Sequence, residues 1–223
     1  MKILKRLMVG VSAVSLTFAL SGCGNSKPKD MAVSDALNAD KMLPIIATNS
    51  DNDDIKWAGF IGEGKIKAIY LDGTYSNTTY RQLKQYSDED FEEAIKSLGT
   101  VEDDDGKVVK KEKFITKKAK TILTPNEDGD KTDFVSFKFL DKNKDIAHTS
   151  LKDLIDGDSY TSPVEKNPDS EWSVIKSQES TDDDEQSDGY ALHIKTSKVF
   201  GLKMEDPEKY TDKYDNVKID PNW

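Results

Sequence analysis

Cysteine and histidine are nearly missing from this chain, with one of the first and two of the second in 223 residues. A single cysteine cannot form an internal disulfide, so packing has to hold the fold together. Without cysteine ligands, a zinc site would need both His148 and His193 together with two acids. Basic residues are in deficit as well. Lys and Arg number 32 against 42 Asp and Glu, giving a charge of −10. That balance excludes nucleic acid as a natural partner, because binding there depends on Lys and Arg neutralising phosphates. No apolar run beyond residue 20 approaches the roughly 20 residues of a membrane span, and no stretch repeats another.

What is present begins at the N-terminus. Lys2, Lys5 and Arg6 make a basic head, residues 7–20 are apolar or small and uncharged, and Leu20-Ser21-Gly22 leads into Cys23. This is the layout of a secretory signal. The apolar stretch is too short for a span and is broken by Ser12, Ser15 and Thr17. The sequence L-S-G-C resembles the lipobox of bacterial lipoproteins. In that family the cysteine sulfur receives a diacylglycerol and the signal is cut just before it. The resemblance implies that residues 1–22 are a signal peptide and that Cys23 is the first mature residue, lipidated with diacylglycerol and palmitate. It further implies a Gram-positive protein anchored on the extracytoplasmic face of the cell membrane. Cutting there removes three basic residues and no acid, which takes the charge from −10 to −13. The body is then repelled by an anionic bilayer, so attachment falls to the lipid, each buried CH₂ contributing about 0.8 kcal/mol. Residues 16–22 of the discarded piece are also similar to the short apolar mating peptides that some Gram-positive bacteria release.

Residues 23–45 read as the lipidated cysteine and a polar tether. Residues 24–30 are polar and contain Pro28, while Ser34 could cap a short helix through Asp35, Ala36 and Leu37 that Pro44 limits. Residues 46–223 read as a soluble β-rich domain whose first clear strand begins at Ile55. Trp57, Phe60, Phe91, Phe137 and Trp172 are among the aromatics available to its core, and a domain of this size needs no disulfide. Ile55, Trp57, Gly59 and Ile61 alternate with Lys56, Ala58 and Phe60. After Gly62-Glu63-Gly64 comes a second β-rich run through residues 66–71, so the pair predicts a hairpin. Ser87 followed by Asp88, Glu89 and Asp90 is a helix start. Phe91, Ala94, Ile95 and Leu98 follow at helical spacing, and Gly99 is the stop, which predicts one clear helix over residues 88–98. A charged seam over 101–113 leaves room for two lobes. Beyond it, residues 114–123 and 132–140 flank a Pro125 to Gly129 turn, and strands are expected over 172–176, 190–196, 199–204 and 217–219. Residues 150–155 suggest a helical turn. The predicted class is α+β, mostly antiparallel sheet with few short helical turns. The stretch from residue 66 to residue 95, including T-T-Y-R-Q-L-K-Q-Y, resembles small lipoproteins of lactic acid bacteria that lack a known activity.

Several motifs approach chemistry without completing it. Residues 59–65 fit G-x-x-x-x-G-K, but Ile66 stands where a phosphate-binding loop needs Ser or Thr, and a strand follows instead of a helix. Ser173 to Lys176 matches S-x-x-K, Ser50 to Asn52 matches S-D-N, and Lys195-Thr196-Ser197 approaches K-T-G. The order is wrong for that set, and residues three apart on a strand point to opposite faces. Asp103, Asp105, Gly106 and Glu112 match four positions of a calcium loop, but Val101 occupies the first. The Asp141 to Asp145 and Asp184 to Asp188 loops end on Lys152 and Lys195 instead of an acid. His193 falls on the face of its strand shared with Ala191 and Lys195, which reads as solvent-facing, and His148 lies in a polar connection. Tyr75, Tyr80 and Tyr86 suit either a sugar-stacking surface or, better, the anchoring of the Ser87 helix to a sheet.

These readings assign lipidation to Cys23 and no catalytic, cofactor-binding or metal residue. The expected function is a non-enzymatic binding or interaction module with no cofactor. Its partners are the membrane, through the lipid on Cys23, and an envelope protein, a peptide or a cell-wall component. The alternatives are a substrate-binding lipoprotein of a transporter, an immunity or exclusion lipoprotein, and an envelope hydrolase, which lacks a nucleophile motif. Because every acidic loop lacks a full ligand set, the thermal midpoint of the unlipidated mature chain should be the same in calcium and in chelator. A large calcium-dependent rise would identify a structural site, since such sites stabilise a fold outright.

Overall fold

The turn at Gly62-Glu63-Gly64 is where the chain's geometry is most constrained. Glu63 and Gly64 both take left-handed backbone angles, φ 51° and 68°, as a tight hairpin between right-twisted strands requires. It joins two strands of a ring. The computed structural model describes residues 30–49, 55–71, 77–102, 105–139, 160–164, 170–177, 190–196 and 201–222. In chain order its elements are β1 (Met31–Ala32), α1 (Val33–Leu37), β2 (Leu43–Asn49), β3 (Ile55–Gly62), β4 (Lys65–Tyr70), α2 (Asn77–Leu83), α3 (Asp88–Leu98), β5 (Thr100–Glu102) and β6 (Val108–Lys111). There follow β7 (Ile115–Pro125), β8 (Thr132–Phe139), β9 (Tyr160–Val164), β10 (Trp172–Ser177), β11 (Tyr190–Lys195), β12 (Leu202–Lys203), α4 (Pro207–Lys213) and β13 (Val217–Ile219).

Strands β2, β3, β4, β7, β8, β9, β10 and β11 pair in that order, each antiparallel to the next, and β11 pairs back onto β2. The result is a closed up-and-down barrel, which leaves no edge among its strands. The class is α+β and mostly β. Closure depends on β7. Its first residues, Ile115 to Lys118, pair with β4, and the stretch from Ala119 to Pro125 pairs with β8. This stagger is the shear that closing a sheet requires, and it tilts the strands against the barrel axis. Gly59 sits where β3 and β4 approach most closely. A Cβ there would lie 2.0 Å from the carbonyl oxygen of Lys67, so only glycine lets the two backbones bend together at this point.

Inward positions follow the period of two. Ile45 and Ala47, Trp57 and Ile61, Ile66 and Ala68, Ala119 and Leu123, Val135 and Phe137, and Leu192 and Ile194 form one buried cluster. Val33, Ala36 and Leu37 of α1 join that cluster, as do Leu202, Tyr210 and Val217. Backbone bonds from Gly64 N to Leu37 O (2.8 Å) and Glu63 N to Ala39 O (2.9 Å) hold α1 at the hairpin end. This end of the barrel is therefore closed by α1. Outward positions Ile46, Ala58, Phe60 and Ile69 meet Tyr80 and Leu83 of α2, Phe91 and Ile95 of α3, and Trp172 in a second cluster. Both faces of β3 are thus buried, which explains its nearly continuous apolar run.

The Ser87 helix forms as its caps dictate. Asp90 N donates to Ser87 Oγ at 3.2 Å, and Phe91 packs edge-on to Phe60 at 5.6 Å and beside Trp172 at 5.9 Å. Gly99 follows the helix with φ −76°, so it is not a left-handed stop. It is there for space, since a Cβ would stand 2.6 Å from Ile69 Cδ1.

Three sequence expectations are corrected. The polar tether drawn over residues 23–45 ends by Asp30, because β1, α1 and the start of β2 belong to the fold; Ala32, Val33, Ala36, Leu37, Leu43 and Ile45 join the inner cluster. Residues 101–113 do not divide two lobes. They carry the small β5–β6 hairpin, and β4 pairs directly with β7 across the insertion. Ser34 lies within α1 instead of capping it, Ala32 being the N-cap. The strand expected over 199–204 is confined to β12 among the described residues, and the helical turn over 150–155 lies outside them.

Phe91→Ala should cost about 3–5 kcal/mol through lost burial and a cavity, measured by chemical denaturation. The Glu92 and Glu93 side chains lie off that apolar stripe and invite one expectation, near neutrality, but they differ. Glu92 accepts from Lys67 Nζ at 2.9 Å and Lys96 Nζ at 3.0 Å, and these two hydrogen bonds hold its carboxyl below the usual range. Both pairs are partly solvated, so Glu92→Ala should cost at most about 1 kcal/mol, with Glu93→Ala near zero.

Candidate functional site

The outward face of β11 carries Ala191, His193 and Lys195, the parity expected from sequence, but it does not meet solvent. Helix α2 and the turn before α3 lie over it. His193 is 5% exposed, which corrects the solvent-facing reading. A strand's period assigns a residue to a face; what covers that face is decided by a segment more than a hundred residues earlier in the chain. Lys195 Nζ is similarly engaged, donating to Asp88 Oδ1 at 2.9 Å and Tyr86 O at 3.1 Å.

Both ring nitrogens of His193 have partners. Nδ1 lies 2.8 Å from Tyr80 OH, and Nε2 lies 3.1 Å from Thr48 Oγ1. Lys84 Nζ donates to Tyr80 OH at 2.9 Å. An ammonium only donates, so Tyr80 OH accepts from Lys84. A neutral imidazole donates from one ring nitrogen and accepts at the other, and the hydroxyls of Tyr80 and Thr48, each able to do either, satisfy both. The chain Lys84, Tyr80, His193, Thr48 is satisfied with a neutral imidazole. Burial, and then the charges of Lys84 and Lys176, push the His193 pKa down to about 3. Trp172 Nε1 completes the arrangement by donating to Lys84 O at 2.9 Å. The ring is bonded at both nitrogens and buried under α2. The chain ties α2, the helix that carries Tyr80, to the barrel wall, whereas the sequence suggests Tyr80 as an anchor for the Ser87 helix. Tyr86 is 41% exposed, and Tyr75 lies outside the described residues.

A second polar cluster lies at the closed end. Asp35 Oδ1 accepts from Lys213 Nζ (2.7 Å) and Tyr214 OH (2.9 Å), and Oδ2 accepts from Tyr210 OH (2.9 Å) and Ala32 N (3.3 Å). Burial alone would raise this carboxyl, but the bonds from Lys213, Tyr210 and Tyr214 outweigh it and hold it below the ordinary range. Glu205, 2% exposed, accepts through Oε1 from Ser34 N at 3.0 Å and from Ser34 Oγ. Burial raises its pKa, against the pull of those bonds, and its Oε2 has no partner among the described residues. Ser34 reads in sequence as a cap, which it is not; its side chain bonds a partner 171 positions away. These groups bind the first described segment to the last through side chains bonded to each other.

The other sequence motifs separate. Ser173 Oγ is buried against Thr196 Oγ1 at 3.0 Å, while Lys176 is exposed on the opposite face of β10. Residues 59–65 form the β3–β4 hairpin, not a phosphate loop. Among the described residues no group of three or more His, Cys, Asp or Glu could hold a metal. Cys23, His148, Asp103, Asp141, Asp145, Asp184 and the Ser50 to Asn52 motif lie outside those residues.

His193 offers a pH signature. Its pKa is depressed in the folded state, so between pH 3 and the unfolded value near 6.5 the unfolded chain holds the extra proton. Stability should therefore fall as pH drops from 6.5, by up to about 1.4 kcal/mol per pH unit from this residue. Urea denaturation from pH 7 to pH 4 should give His193→Gln a shallower decline than the parent; parallel declines would place the histidine in contact with water.

With the barrel and its two polar clusters in view, comparison of the chain with protein-family models, with curated proteins and with solved structures finds no match.

Proposed function

We propose that this chain is a lipid-anchored cell-envelope protein whose barrel is a non-enzymatic binding module for a peptide, an envelope protein or a cell-wall component. The observation that carries the reading is how closely the fold follows the lipobox. Six residues separate Cys23 from Asp30, where Gly201 N already donates to the Asp30 carboxylate at 2.9 Å. A leader ending in L-S-G-C, a short polar leash and then a barrel locked at its first residue is the plan of a domain held at a membrane by lipid. The buried titratable groups support binding over hydrolysis, since His193 and Glu205 are engaged in joining elements. A receptor that feeds a permease generally closes two lobes around its substrate. One continuous ring of eight strands favours an interaction module over that plan.

Metabolic labelling with a clickable fatty acid, followed by fractionation, tests the anchor. The parent chain should be labelled and sediment with membranes, and Cys23→Ala should lose both properties. Equal labelling of the two would remove the basis of the proposal.

A further inference from the structure

We infer that the α1 end of the barrel is the face apposed to the lipid headgroups, so that the protein stands on the membrane with its opposite end outward. The inference rests on the lipid-anchor reading of Cys23 and adds an orientation to it. The length and the attachment point of the leash carry it. Six residues, 24–29, lie between Cys23 and Asp30 in the sequence, and six residues reach about 20 Å at most. The leash is this short because of the closed-end clasp. Met31 N donates to Gly201 O at 2.8 Å and Gly201 N to Asp30 Oδ1 at 2.9 Å. Strand β1 pairs in parallel with β12, and Asp35 and Glu205 lock α1 against the segment that follows. Without the clasp the free chain would run on to Leu43, and its reach would exceed the barrel's own height. With it, the point of attachment is fixed at one end.

Charge acts in the same direction. The strand directions bring the end of β2, the start of β3, the end of β4, the end of β8, the start of β9, the end of β10 and the start of β11 to the far end. The segments that connect these strand ends along the chain, residues 50–54, 140–159 and 178–189, hold 14 Asp or Glu against 3 Lys in sequence. Near an anionic leaflet that end is repelled within about a Debye length. The α1 end is mixed in sign, with Lys41, Lys203, Lys209 and Lys218 exposed among its acids. The outward pose is therefore favoured both by the leash and by electrostatics.

The test uses the natively lipidated protein in vesicles of phosphatidylcholine and phosphatidylglycerol. Lipidation consumes the Cys23 thiol, so a single new cysteine can carry a nitroxide. Lys209→Cys places it on α4 at the closed end, and Lys176→Cys places it on β10 toward the other end. With a nickel-chelating lipid as relaxant, the label at 209 should relax several-fold more than the label at 176. Inserting a long Gly-Ser segment after Lys29 should bring the two together. Equal relaxation in the unmodified leash, or stronger relaxation at 176, would overturn the orientation. Protein that fails to bind the vesicles at all would instead overturn the anchor on which it rests.

Discussion

The pairing of β8 with β7 is the contact on which the rest of the structure depends. Without it the eight strands would be an open sheet with two exposed edges, each a row of unpaired amides and carbonyls. With it, every strand of the ring has two neighbours, and inside and outside become separate environments. The inside is dry and takes Trp57, Phe137 and the branched aliphatics. The outside needs cover only where its residues are apolar, over β2, β3 and β4, and α2 and α3 supply it. The insertion that carries those helices leaves the ring after β4 and returns at β7 without interrupting the pairing.

That cover accounts for the polar chemistry of the barrel wall. Placing α2 over β11 takes His193 out of water, which would be costly for an unpartnered ring. Tyr80 and Thr48 remove the penalty by bonding both nitrogens. The closed end repeats the logic with carboxylates. Asp35 stays charged because four donors converge on it, whereas Glu205, with donors on one oxygen only, is pushed toward its neutral form. In both places a buried ionisable group joins parts of the chain far apart in sequence.

The closed end also links fold to function. A lipid anchor confers position only as far as the chain between lipid and domain is short. The C-terminal segment engages Asp30, Met31 and α1, and on the proposed lipid-anchor reading this leaves six residues between Cys23 and the first held residue and gives the attachment a direction.

Much of the barrel was legible in the sequence, residue by residue. The alternation around Trp57, the glycines of the hairpin, the Ser87 cap with its three acids, and Phe91, Ile95 and Leu98 at helical spacing each reflect local backbone preference or the period of an element. The L-S-G-C stretch behind the proposed anchor is local too, a resemblance carried by four residues outside the described ones. Ring closure was not legible, because it depends on which edges meet, and no single strand encodes its second neighbour. The burial of His193, the Ser34–Glu205 bond and the inclusion of residues 31–45 were hidden for the same reason. Each is set by a partner more than a hundred residues away or by a face whose cover comes from another element. Sequence alone determined most of the secondary elements, since those depend on neighbours along the chain. Only the tertiary structure decided inside from outside, and which end of the barrel holds the first described residues, since both depend on neighbours in space.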